Sequence, residues 1–234
     1  MLDGQLLDGL VFCAHAYDAF EQIRSGPRGV EELRLLSSQR SKKMIEEILP
    51  LARYVQSQYG PGRKLSVRWL GGSQSYDAYM RNAGAAVKPL GLPARQYLEV
   101  TTAVQPNEYL VREHINSNGV AFASRGTRRD PKTRVITSEP TVYTNREPWD
   151  ELVQLILSRI ENKARKRYPK PTSLIVRCVV EMPVLDDEWS YVVDELRKRE
   201  ASDQFREVVL IEHVGNRCTV LYNRRPKGTV QIHR

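Results

Sequence analysis

The stretch SLIVRCVVEM (173–182) constrains the fold of this chain more than any other. It is apolar for most of its length, so the strand it forms must be covered on both faces, as in the centre of a layered α/β sheet. Helical segments flank it in sequence. Trp149, Leu152, Val153, Ile156, Leu157 and Ile160 fall on one face of a helix starting at Trp149. DDEWSYVVDELRKRE (186–200) predicts a second helix, with acids in its first turn and cations in its last, complementing the helix dipole. REVVLIEHVG and CTVLYN then read as two closing strands.

Upstream, Leu65, Val67 and Trp69 alternate with Ser66 and Arg68, the period of a half-buried strand. Gly71-Gly72 predicts a tight turn, with Ser75–Met80 as the returning strand. RQYLEVTTAV reads as a third strand, and PNEYLVREHINSNG as a short helix stopped at Gly119. Residues 120–148 are polar, basic and irregular, the mark of a functional or mobile loop. From residue 3 to about 59 the pattern is helical, with Met44, Ile45, Ile48, Ala52, Val55 and Tyr59 on one stripe. Pro50 should kink or restart that helix, and Gly60-Pro61-Gly62 should end it. The expectation is an α/β protein, a mixed β-sheet flanked by helices, with a helical N-terminal arm over 1–41 and an α/β domain over 42–234.

A chain that is 41% hydrophobic and 27% charged can build a core, which excludes a wholly disordered protein. No run approaches the roughly 20 apolar residues of a membrane span. The first twenty residues lack a basic n-region and carry Asp3, Asp8 and Asp18, unlike a signal or transit peptide, so a cytoplasmic protein is expected. Cys13, Cys178 and Cys218 form no metal pattern, and Cys178 reads as a buried reduced thiol. His15, His114, His213 and His233 are too scattered for a zinc site.

Lys plus Arg number 36 against 28 acids, a net charge of +8, which favours a polyanionic partner. Three clusters concentrate that charge. Arg125, Arg128, Arg129, Lys132 and Arg134 lie around a single Asp130; Arg165, Lys166 and Arg167 end the helix after Trp149; Arg224, Arg225 and Lys227 form a tail. Nucleic acid, DNA in the first instance, is the expected partner.

The third strand carries the chemistry. Alternation places Glu99 and Thr101 on one face and Leu98, Val100 and Thr102 on the other. A carboxylate in an apolar strand is costly to bury unless paired or cation-bound. Asp77 lies 22 residues upstream, on the expected neighbouring strand. Adjacent strands are about 4.8 Å apart, so the two carboxylates can converge. Two such carboxylates suit Mg²⁺ or Mn²⁺, with the remaining positions left to water and phosphate.

A helix over 42–59, a hairpin bearing Asp77, a strand bearing Glu99, then helices and SLIVRCVVE resemble the PD-(D/E)xK fold of restriction-endonuclease-like nucleases, over roughly residues 42–181. The resemblance implies that Asp77 and Glu99 are metal ligands and that position 101 should be a lysine assisting the attacking water. Thr101 stands there instead, so a working site needs a cation from elsewhere. At roughly 100° per residue, Lys163 projects within the apolar stripe of its helix and is the first candidate. Arg112 is the second, although it lies off its helix's apolar stripe, as solvent-exposed arginines do; His114 reads as a core histidine. Glu46 projects to the back of the first helix and Glu47 to its margin, so both are expected at the surface, with only Glu47 able to approach the site. Tyr76, Tyr79 and Tyr97 lie beside the acids and can stack on a base.

The leading expectation is therefore metal-dependent phosphodiester hydrolysis with Asp77, Glu99, Thr101 and Lys163 at the centre. Thr101 favours an alternative, a catalytically inactive nuclease-fold module that binds nucleic acid or a protein. A third reading is a structural protein forming homo-oligomers through its N-terminal helices.

Overall fold

The computed structural model describes residues 2–180, 182–199, 203–214 and 217–223. The basic tail at Arg224, Arg225 and Lys227, and His233, lie outside them. A short strand β1 (Leu7–Asp8) leads into α1 (Gly9–Arg24), whose N-terminus is capped by Asp8 Oδ1 accepting from Leu10 N. Helices α2 (Gly29–Leu35) and α3 (Gln39–Lys43) follow, then a π-helical turn (Met44–Ile48) and α4 (Leu49–Ser57). The π turn answers the question posed by Pro50. That residue has no N–H for the Glu46 carbonyl, and its ring would clash with it in a continuous α-helix. Instead the chain takes one wider turn, closed by Leu49 N donating to Met44 O, and Pro50 starts α4.

Strands β2 (Lys64–Trp69), β3 (Ala78–Ala83) and β4 (Arg95–Ala103) form an antiparallel meander. The returning strand starts three residues later than the expected Ser75. Gly71-Gly72 is not a tight turn: positive φ falls at Gly4, Gly62, Gly84, Gly91 and Gly119 instead. A wider loop links β2 to β3, with Leu70 N bonded to Asp77 O at 2.9 Å and Gln74 Nε2 to Leu70 O at 2.7 Å. Helix α5 (Glu108–Asn118) ends at Gly119, whose φ of 79° supplies the left-handed cap. Within the polar stretch that follows lies a small hairpin, β5 (Thr127–Arg129) with β6 (Ile136–Ser138). Then come α6 (Glu147–Ala164), β7 (Thr172–Cys178), α7 (Asp186–Arg197), β8 (Glu207–Glu212) and β9 (Cys218–Asn223).

The main sheet has seven strands in the order β1-β2-β3-β4-β7-β8-β9. β4, β7 and β8 are parallel, and the outer pairs are antiparallel. Every residue of β7 is buried, as a strand covered on both faces requires. One face packs Phe12, Ala16, Leu51 and Val55 from α1 and α4 onto Leu98, Val100, Ile175 and Val209. The opposite face packs Trp149, Val153 and Ile156 of α6, with Val192 and Leu196 of α7, onto Ala103, Leu174, Val176 and Leu210. This is an α/β protein with a mixed sheet flanked by helices, and α1 belongs to the same core as the sheet. No helix among the described residues is long and apolar enough to cross a membrane. Cys178 is fully buried and reduced, and burial drives its thiol pKa far up.

A polar network crosses the α4 face of the central strands. Gln96 Nε2 donates to Ser173 Oγ at 2.6 Å and to Glu207 Oε1 at 3.0 Å, and the buried Tyr54 hydroxyl donates to the same carboxylate at 2.5 Å. With Asn223 Nδ2 on Glu207 Oε2 at 3.3 Å, both carboxylate oxygens have partners, as burial demands.

Candidate active site

Strand alternation directs Tyr97, Glu99, Thr101 and Ala103 of β4 towards α6, and Gln96, Leu98, Val100 and Thr102 towards the N-terminal helices. β4 lies between β3 and β7, so a charged residue on it has little water. Glu99 is 5% exposed. Its Oε1 accepts from Lys163 Nζ of α6 and, at 3.3 Å, from the Tyr168 hydroxyl. Lys163 arrives because α6 is regular. Ile156, Ile160 and Lys163 stand at i, i+4 and i+7 of one stripe, the first two fill the core, and the lysine continues their line onto Glu99.

Asp77 comes to the same place from the sheet side. β3 pairs Ala78 with Leu98, so the residue before Ala78 stands opposite Glu99. The backbone N–H of Asp77 donates to Leu98 O at 2.9 Å, and its Oδ2 accepts from Val100 N at 2.7 Å. These two bonds straddle Glu99 and hold the Asp77 carboxylate beside it. Burial, and then the charge of Asp77, push Glu99 up to about 7, against the pull of Lys163 and Lys166. Asp77 is also raised by burial, opposed first by the Val100 N–H and then by Lys163, Lys166 and Lys43. One lysine in contact does not offset the desolvation of the two carboxylates.

The first helix contributes more than its sequence pattern suggests. Glu46 and Glu47, expected at the surface, are both half-buried. Glu47 is raised by burial and then by Asp77, with Lys43 opposing. The buried Trp69 indole N–H lies towards it without meeting hydrogen-bond geometry. The π turn brings both side chains inward. A wider turn at Met44–Ile48 breaks the 100° phase of a regular α-helix, and such turns recur at functional sites. Lys43 itself is anchored to Gly71 O and lies 5.6 Å from the Trp69 ring centroid.

Thr101 is half-buried on the Glu99 face, two residues along the strand. Arg112, expected in solvent, is instead largely buried and paired with Glu108 of its own helix. Its charge is felt at Arg177 and His213, away from Glu99. His114 meets Asn118 Nδ2 at 3.2 Å on the same helix. The three tyrosines cluster with one another, Tyr76–Tyr97 at 4.8 Å and Tyr79–Tyr97 at 5.7 Å between ring centroids.

Two of the basic clusters differ in how far they are already neutralised. In the loop, Arg125 pairs with Glu147, Arg128 with Glu139 at 3.2 Å and Arg129 with Glu113 at 2.5 Å, while Lys132 and Arg134 are exposed. Arg165, Lys166 and Arg167 are all exposed at the end of α6, and the Lys166 charge reaches both Asp77 and Glu99. That second cluster adjoins the acids.

Tyr168 was not legible as a site residue. It lies in coil after α6, outside any periodic pattern, yet it is 8% exposed and its phenol is pushed far up by burial and then by Glu99. Among the described residues no set of three or more His, Cys, Asp or Glu is arranged to hold a metal. Asp77 and Glu99 are two carboxylates that the sheet register places side by side. No protein-family model, curated protein or solved structure matches this chain.

Proposed function

We propose that the chain is a metal-dependent nuclease-like protein that hydrolyses phosphodiesters at Asp77 and Glu99, with Lys163 in the role that Thr101 cannot fill. The observation carrying this reading is the meeting of Lys163 with Glu99 beside a backbone-anchored Asp77. The acids fit a hard divalent cation: they are oxygen donors side by side, Glu99 buried and Asp77 half-buried, both raised by burial and Glu99 further by the charge of Asp77. Bound Mg²⁺ or Mn²⁺ would supply Lewis-acid stabilisation of the phosphate and a more acidic water. Asp77 and Glu99 would hold it, and two protein ligands suit an ion that keeps several waters.

The remaining roles belong to the chain itself. Lys163, a cation of fixed position in a low-dielectric site, stabilises negative charge developing on the attacking oxygen or the phosphate. Tyr168 holds Glu99 Oε1 in place from the other side. The exposed Arg165, Lys166 and Arg167 bind flanking phosphates of a DNA strand.

The test is cleavage of single- and double-stranded DNA and RNA with Mg²⁺ or Mn²⁺. Metal-dependent cleavage that Glu99→Gln abolishes together with metal binding is expected. Salt-dependent DNA binding without metal or cleavage replaces this reading with the inactive binding module, which Thr101 favours.

A further inference from the structure

On the opposite face of the sheet from Glu99, a second charged group is buried with less provision. Arg177 of β7 is 4% exposed, in register with Thr102 of β4. Its Nη2 lies 3.0 Å from His213 Nδ1, and a guanidinium can only donate. The imidazole is therefore neutral, accepts at Nδ1 and carries its one proton on Nε2. Arg177 Nη1 is buried with no hydrogen-bond partner, as is Thr102 Oγ1 on the neighbouring strand. Among the described residues no carboxylate is in ion-pair contact with Arg177. Glu108 is committed to Arg112, and Glu46 acts on Arg177 only through its field. A buried guanidinium with an unused donor is costly unless something anionic or polar meets it.

Arg177 lines a cavity of about 40 Å³ with Arg53 and His213, walled by the apolar Ile45, Pro50 and Ile211. Arg53 reaches across from α4, its Nη1 donating to the carbonyls of Glu212 and His213, both at 3.2 Å. The space admits one small group, on the order of three water-sized spheres, and no nucleobase. Two planar guanidinium groups and a neutral imidazole around an apolar-walled cavity match the geometry of an oxyanion better than that of a halide. Burial, followed by the charge of Arg112, pulls the Arg177 guanidinium down to about 10, against the opposing fields of Glu46 and Glu108.

We infer that this cavity binds a small oxyanion of the phosphate class through Arg177 and Arg53, with His213 as a neutral neighbour. Free phosphate and a terminal phosphate monoester present the same chemistry to it. The site is independent of the Glu99 reading, since the two lie on opposite faces of the sheet.

The probe is inorganic phosphate titrated at constant ionic strength, read by thermal unfolding and by NMR of the arginine guanidinium and histidine ring signals. A saturable rise in Tm, with shifts of the Arg177 and His213 signals, is expected. Arg177→Met should weaken the affinity at least tenfold. Arg53→Gln, on the half-buried rim, does the same if Arg177→Met fails to fold. Glu99→Gln should keep the full response, which separates this site from the proposed nuclease centre. A 5′-phosphorylated dinucleotide that competes with phosphate, where the unphosphorylated one does not, identifies a terminal phosphate as the source; no competition identifies the free ion. The inference is overturned if phosphate gives no saturable shift, for water alone then meets Arg177. It is equally overturned if both arginine variants respond as the wild type does.

Discussion

The Glu99 and Arg177 sites occupy neighbouring strands, on opposite faces and three residues apart in register, and they resolve buried charge in opposite ways. On the α6 face an acid has acquired a cation. Lys163 comes 64 residues along the chain to meet Glu99, and a second acid is held beside it by the backbone of β4. On the α4 face the charged residue is an arginine with Arg53 and Arg112 near it, and among the described residues no acid is in ion-pair contact with it, Glu46 and Glu108 acting only through their fields. An odd step in register moves a side chain to the other face of a sheet. One pair of strands thus presents a buried acid on one side and a buried guanidinium on the other. On the readings proposed above, the first would take a cation and the second an anion.

The largest effects should come from breaking the acidic side. Lys163→Met keeps most of the apolar stem and should lower cleavage by a factor on the order of 10² to 10³, the scale of losing one preorganised electrostatic group. Metal binding should survive, because both carboxylates remain. Removing one partner of a buried ion pair ordinarily costs several kcal/mol. Here the loss is limited, since Glu99 already sits near 7 and takes up a proton once its cation is gone. Thr101→Lys should restore part of the lost activity in the Lys163→Met background, from the same strand face. Single-turnover cleavage beside a metal titration checks all three; full cleavage by Lys163→Met removes the displaced lysine from the mechanism.

Next in size is an opposition in pH dependence. Glu99 is raised from its ordinary 4.5 to about 7, so the folded protein binds the extra proton. The stability this gives is complete below about 4.5 and is lost as pH rises to 7, at most about 3 kcal/mol. His213 is lowered from 6.5 to about 4 by burial and then by Arg177, so the unfolded chain binds the extra proton. That part of the stability is complete above 6.5 and is lost as pH falls towards 4. The His213 effect is the smaller, because the residue is partly open to solvent. Urea unfolding of Glu99→Gln should show stability rising more steeply from pH 5 to 7 than in the wild type, and His213→Gln should flatten the acid side. Parallel profiles in all three proteins would refute the opposition.

Where elements are regular, both the fold and the acidic site could be read from residues. Leu65, Val67 and Trp69 alternate as expected and are buried, and Lys163 could be placed because α6 keeps its phase over five turns. Legibility ends where local geometry departs from the ideal. The π turn before Pro50 rotates Glu46 and Glu47 away from their predicted positions. β1 is two residues long, too short for any period, although it extends the sheet beyond β2. Tyr168 lies in coil. Arg177 stands in plain view inside LIVRCVV, but its meaning depends on what faces it from α4 and β8, and no pattern within β7 contains that information.

The smallest effect concerns how nucleic acid would reach the acidic side. Arg128 and Arg129 are already paired with Glu139 and Glu113, and exposed ion pairs are worth only about 0 to 1 kcal/mol. A phosphate can therefore displace the glutamates, but each displacement returns part of the gain. Neutralising Arg128, Arg129 and Lys132 together should reduce the slope of log affinity against log salt by about one to two, short of the nearly three that free cations would give for duplex DNA. Neutralising Arg165, Lys166 and Arg167, which are exposed and adjoin the acids, should reduce it by closer to three. The second set should also slow cleavage at saturating DNA, because the field of Lys166 reaches Asp77 and Glu99, whereas the loop set should leave that rate alone. Salt titrations of binding with each set distinguish the two clusters, and an unchanged slope for the loop variant removes residues 124–134 from the interface.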